Sequence, residues 1–130
     1  MILQTTLSLA AAAALINIWH MIRIGKLRAS SKVLHGDGGN AALTRRMRAQ
    51  ANFIENAPLV LILVGAIEMT GKGGTWLAIV GALYMLGRVA HAIGMDVDKA
   101  HPGRVIGTLL AMLTLLGLGG VAVLIALGRF

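Results

Sequence analysis

Four apolar stretches, each about 20 residues long, divide this 130-residue chain and leave few folds open to it besides a helical bundle in lipid. The first runs from about Ile2 to Ile24. The second has its apolar part from about Phe53 to Met69, preceded by a helical, charged turn from about Ala41. The third covers about Thr75 to Met95 and the fourth about Val105 to Leu127. Turn-rich segments separate them: His35-Gly36-Asp37-Gly38-Gly39-Asn40, then Gly71-Lys72-Gly73-Gly74, then a polar loop with a proline from Asp96 to Gly103. Only 13% of the residues are charged, about half the share of a soluble domain, while 57% are hydrophobic. The expected architecture is an all-α membrane protein, a single four-transmembrane-helix bundle over residues 1–130.

The small-residue run Ala10–Ala14 invites comparison with a signal peptide. It lacks a basic leader, and the apolar stretch continues to Ile24, so a retained first span is expected. The net charge of +7 is concentrated in one place. From Arg23 to Arg48 there are seven basic residues and one acid, Asp37, a net of +6; the rest of the chain carries +1. A cationic excess confined to one loop is the positive-inside signature, not a nucleic-acid footprint. That loop is expected to be cytoplasmic, with both termini on the non-cytoplasmic side. The loop between spans three and four then returns to the cytoplasmic side, which brings three polar groups together: Arg48–Glu55 opening span two, Arg88 and His91 near the end of span three, and Arg104 opening span four.

Arg48, Asn52 and Glu55 stand at i, i+4 and i+7, so a helix carries all three on one face. A charge near hydrocarbon costs roughly 2.5–3.5 kcal/mol on insertion scales. Glu55 is therefore expected to meet a cation inside the bundle, with Arg48, Arg88 and Arg104 as candidates. Either a structural ion pair or a ligand site answers that need. Arg88, His91 and Met95 share a face of span three at i, i+3 and i+7. Pro58, inside span two, removes a hydrogen bond and is expected to kink it. Gln50 and Asn56 add neutral donors and acceptors, and Asn17 and His20 stand i, i+3 on span one.

The chain has no cysteine, so disulfides and thiolate metal sites are excluded, and any thiol chemistry must use a substrate's thiol. No metal is expected, because His20, His35, His91 and His101 are scattered over different segments. Neither a P-loop nor a nucleophile elbow is present. The polar inventory of arginines, one glutamate and amides suits a small zwitterionic peptide with two carboxylates. A cation beside that peptide's thiol favours the thiolate. Lowering a thiol pKa from about 8.5 to about 6.5 takes roughly 2.7 kcal/mol.

Arg-Ala-Gln-x-Asn-x-x-Glu-x-x-Pro at 48–58 resembles the span-two motif of the MAPEG family, membrane-associated proteins in eicosanoid and glutathione metabolism. Gly87-Arg88-Val89-Ala90-His91 resembles the span-three motif of its prostaglandin E synthase branch. The Gly36–Gly39 loop and the length are similar to small bacterial inner-membrane members. The resemblance implies a homotrimer in membrane lipid that binds glutathione between protomers near the cytoplasmic face. It implies transfer of the glutathione thiol to lipophilic electrophiles, with peroxidase activity as a related chemistry. By matching position, Arg48, Gln50, Asn52 and Glu55 would bind glutathione from span two, and Arg88 and His91 from span three. Arg104 would polarise the thiol. A span-one cation also contributes in the family, with Arg23, Lys26 and Arg28 as the candidates here.

Two positions depart from the family pattern. Met95 stands where synthases carry a tyrosine, and the only tyrosine, Tyr84, lies deeper in span three. Val105 stands where a hydroxyl follows the span-four arginine. These losses motivate an alternative, a non-enzymatic structural or ligand-binding membrane protein that keeps the polar network for helix packing.

Overall fold

A computed structural model describes residues 2–130. Four helices form the chain, α1 Gln4–Ser31, α2 Ala41–Met69, α3 Thr75–Gly94 and α4 Pro102–Ala126. No strand occurs among the described residues. All four helices are long and apolar enough to cross a membrane.

Their ends follow local chemistry. Helix α1 continues past Ile24 to Ser31, because nothing in that stretch breaks it; its 28 residues reach about 42 Å, against about 30 Å of hydrocarbon. Lys32 then turns left-handed at φ 57°, and its N–H caps the carbonyl of Arg28. At the start of α2 the Asn40 side chain accepts from Leu43 N at 3.0 Å. Helix α4 begins three residues earlier than expected. Proline has no N–H to waste in a first turn, and His101 Nδ1 accepts from Gly103 N at 3.0 Å.

The helices run up and down. Helices α3 and α4 share the most extensive contact, and every pair touches except α1 with α4. Leu9, Phe53, Val60, Val64, Leu77, Tyr84 and Leu118 form the core. Glycines let α3 and α4 close tightly: a Cβ on Gly94 would lie 2.9 Å from Arg104 Cα, and one on Gly107 would strike His91 and the Gly87 carbonyl. Leu15, Ile18, Ile62, Leu86, Leu109 and Leu116 point outward, as a lipid-facing surface requires.

An acid outside the expected polar set fastens α1. Glu68, in the last turn of α2, accepts from Thr5 N at 2.8 Å, Thr6 N at 2.7 Å and the Thr6 hydroxyl at 2.6 Å. A carboxylate opposes the dipole at its own helix's C-terminus. Here it meets the positive N-terminus of α1 and satisfies two of its orphan donors. Glu68→Ala is expected to lower stability by about 1 kcal/mol, the worth of a lost N-cap. Thermal unfolding in detergent measures it, and an unchanged midpoint would remove this fastening.

Candidate functional site

At the end of the bundle holding the first loop, the last turns of α1 and α3 meet the first turns of α2 and α4. The three polar groups expected to converge do share this end, though not one surface.

The centre is Arg88, only 2% exposed. Its guanidinium donates to Asn52 Oδ1 on α2 and to the Gly107 carbonyl on α4. The bare Gly107 backbone is what lets that carbonyl come close enough. Tyr84 donates its hydroxyl to Asn56 Oδ1, and Asn56 Nδ2 donates to the Asn52 carbonyl at 2.8 Å. The Tyr84 ring lies 5.7 Å from the Arg88 guanidinium carbon. A chain of polar groups thus ties α2, α3 and α4 without a carboxylate. His91 is buried beside it. His20, also buried, lies with its ring tilted against Trp19 and Phe53, centroids 5.4 Å and 5.7 Å away, and its Nε2 has no partner among the described residues.

Arg48, Asn52 and Glu55 share a face as expected, but that face does not point inward. The interior face of α2 is set by Leu43, Ala49, Phe53, Ala57, Val60, Val64 and Ile67. Glu55 follows Phe53 by two residues, about 200° around a helix of 3.6 residues per turn. Arg48 and Glu55 are exposed, and Asn52 sits half-buried on the inward edge. The expected ion pair of Glu55 with Arg48, Arg88 or Arg104 is not formed: among the described residues Glu55 has no salt-bridge partner. Gln50 reaches α1 instead, donating to Asn17 Oδ1 at 3.2 Å. Pro58 lies on the exposed side of a helix that runs unbroken to Met69.

At this end of the bundle the acid that gathers arginines from two helices is Asp96, just beyond α3. It pairs with Arg23, lies 3.8 Å from Arg46 Nε, and so joins three segments. Arg23 also stacks over Trp19 at 4.6 Å, while its buried Nη1 lacks an acceptor. Of the other span-one candidates, Lys26 is exposed, and Arg28 donates to the Gly36 carbonyl at 2.7 Å. Asp37 is bound to its own loop: the Gly39 N–H and the Thr44 hydroxyl hold its carboxyl below the usual aspartate range.

Arg104, exposed in the first turn of α4, lines an open recess of about 490 Å³ with Ala100, Val105, Thr108 and Leu109. Met95 caps α3 and is half-buried. Another recess between α3 and α4, lined by Trp76, Leu83, Leu113 and Thr114 among others, lies toward the opposite end and is almost wholly apolar. Among the described residues no group of three metal-ligating side chains is close enough to hold an ion.

The sequence reading missed Asp96, Glu68 and the Tyr84–Asn56 bond. Glu68 had a signal, an acid in the last turn of an apolar helix, where only a partner from another element offsets the dipole.

Comparison with known proteins follows the same lines. The family model described as "MAPEG family" matches residues 6–124. The inner membrane protein YecN of Escherichia coli K12 is 31% identical over 86 residues, which cover 65% of this chain and 65% of that protein. YecN of Escherichia coli O6:H1 matches with the same identity and coverage. The match therefore spans just under two thirds of those relatives' length.

Asn52→Leu is expected to strand the Arg88 guanidinium and to cost about 2 kcal/mol, the range for a lost hydrogen bond to a charged group. Asn52→Asp keeps an acceptor and should retain most of the stability. Thermal unfolding of both variants in detergent checks the pair, and equal losses would contradict the assigned role of Asn52.

Proposed function

The chain belongs to the MAPEG family, and from that premise we propose that it is a membrane glutathione transferase. It acts as a homotrimer in a bacterial inner membrane, a location the name of the YecN relatives supports. The basic first loop faces the cytoplasm, and glutathione lies between adjacent copies near that face.

One observation carries this reading. Helix α2 presents Arg48 and Glu55 outward, exposed and, among the described residues, without ion-pair partners, beside apolar residues that suit lipid. Charges in that position are costly unless something ionic covers them. A zwitterionic peptide enclosed by a second copy does so. Arg48 holds a carboxylate, Glu55 the ammonium, and Asn52 and Gln50 the peptide amides. Arg88 acts from behind, as the buried support that fixes Asn52, with His91 buried beside it. Arg23, half-buried at this end of α1, is the favoured span-one contact.

Arg104 is the catalytic group. It stands at the start of α4, where the helix dipole adds its positive end, and both favour a thiolate. The thiolate attacks an electrophilic carbon of a lipophilic substrate arriving from the bilayer. A C–S bond forms, and the leaving group departs with its electron pair; on an activated alkene, the adjacent carbon takes up a proton instead. The outward recess of Arg104, with Val105, Thr108 and Leu109, gives the electrophile an apolar approach.

Met95 in the tyrosine position favours the structural alternative, but the packing network joins α2, α3 and α4 without Glu55. A residue outside that network is a poor candidate for a packing lock.

Arg104→Ala is expected to slow conjugation of a lipophilic electrophile near neutral pH by about 20-fold. That is the loss of thiolate when a thiol pKa returns from about 6.5 to about 8.5. The unfolding midpoint and the oligomer mass should not change. Unaltered turnover would remove Arg104 from the mechanism, and a wild type that is folded but inert toward a panel of electrophiles would favour the structural alternative.

A further inference from the structure

We propose that the end of α1 and the loop that follows form a binding site for the headgroup of an anionic phospholipid, distinct from the α2 face. Hydrocarbon of about 30 Å takes up about 20 residues of helix, so Lys26 to Lys32 stand at the level of the lipid phosphates. Below them Leu15, Ile18 and Ile22 are exposed, spaced three and four residues apart on the same side as Lys26 and Ala29. That side offers an apolar track for an acyl chain with cations at its head.

The head of the track is a folded recess of about 530 Å³, lined by Arg28, Ala29, Lys32, Val33 and Leu34. Arg28 ties the loop by donating to the Gly36 carbonyl, and Asn40 Nδ2 donates to Ser31 Oγ at 2.9 Å. Val33 fills the space that a side chain on Gly38 would need. This tied loop holds Leu34 outward, 83% exposed. A leucine presented by an ordered loop, beside cations and at headgroup depth, fits the acyl boundary of the bilayer.

The charge balance selects an anionic headgroup. Among the described residues Lys26, Arg28 and Lys32 form no salt bridge. The acid in this loop, Asp37, is already bound to Gly39 and Thr44. A lipid phosphate with no compensating cation of its own supplies the missing charge, whereas phosphatidylcholine does not.

The test titrates phosphatidylglycerol into protein purified in a neutral detergent. It follows the unfolding midpoint and the lipid retained in native mass spectrometry. Phosphatidylglycerol should stabilise and be retained, and phosphatidylcholine should do neither. The double variant Lys26→Gln/Lys32→Gln should bind phosphatidylglycerol about 25-fold more weakly, about five-fold per lysine. Leu34→Ser should also weaken retention, and Lys72→Gln at the opposite end should not. Equal binding by the double variant would overturn the site. So would equal protection by phosphatidylcholine, or by free glycerol phosphate, which would indicate a soluble anion. Displacement of the lipid by glutathione would assign these cations to the α2 site instead. A changed oligomer mass for Leu34→Ser would make this surface a contact between copies. Either result contradicts the proposal.

Discussion

A buried guanidinium without a carboxylate sets the terms for this bundle. Placing Arg88 inside a membrane-spanning helix incurs a desolvation cost that only direct hydrogen bonds offset. The chain meets it with an amide from α2 and a backbone carbonyl from α4, and both demand close helix approach. Gly107 and Gly94 follow from that demand, because a methyl group at either would hold α4 away from α3. Asn56 and Tyr84 extend the same network, Tyr84 bonding Asn56 and Asn56 the Asn52 backbone carbonyl one turn back. The result is a polar core bonded through both terminal nitrogens of Arg88, its buried Nε alone lacking a partner among the described residues, and it uses none of the chain's carboxylates.

Those other charges divide into two sets. Arg23 and Arg46 converge on Asp96, and Glu68 caps α1; these bonds close within one copy and hold the two ends of the bundle. Arg48, Glu55 and Arg104 are exposed. Helix α2 thus carries a structural amide and outward ionic groups within two turns. A ligand held against Arg48 and Glu55 would meet Asn52, whose position Arg88 fixes from inside, so binding and folding share a residue.

Much of this was legible in the sequence. The apolar lengths marked four spans, and spacing alone placed Arg48, Asn52 and Glu55 on one helical face. The direction of that face was not legible. A charge on an apolar helix is equally well explained by an inward partner or an outward ligand, and only the packed neighbours Phe53, Ala57 and Val60 decide between them. The missed pairings are non-local: Glu68 meets Thr5 and Thr6 from more than 60 residues away, and Asp96 meets Arg23 across 73. Nothing in local spacing specifies such contacts. Helix ends shifted for local reasons, the left-handed Lys32 at one and the His101–Pro102 cap at another.

The central claim is that the outward charges of α2 form a glutathione site, and binding tests it more directly than turnover does. The decisive measurement is the unfolding midpoint of the detergent-solubilised protein against rising glutathione, with S-alkylated and oxidised glutathione alongside, for the wild type and for Glu55→Gln. A ligand that binds only the folded protein raises stability as the logarithm of its concentration above Kd. The account predicts a dose-dependent rise with glutathione and its S-alkyl form, lost or sharply reduced in Glu55→Gln. No rise with any of them in a folded protein, or an equal rise in the variant, would contradict it.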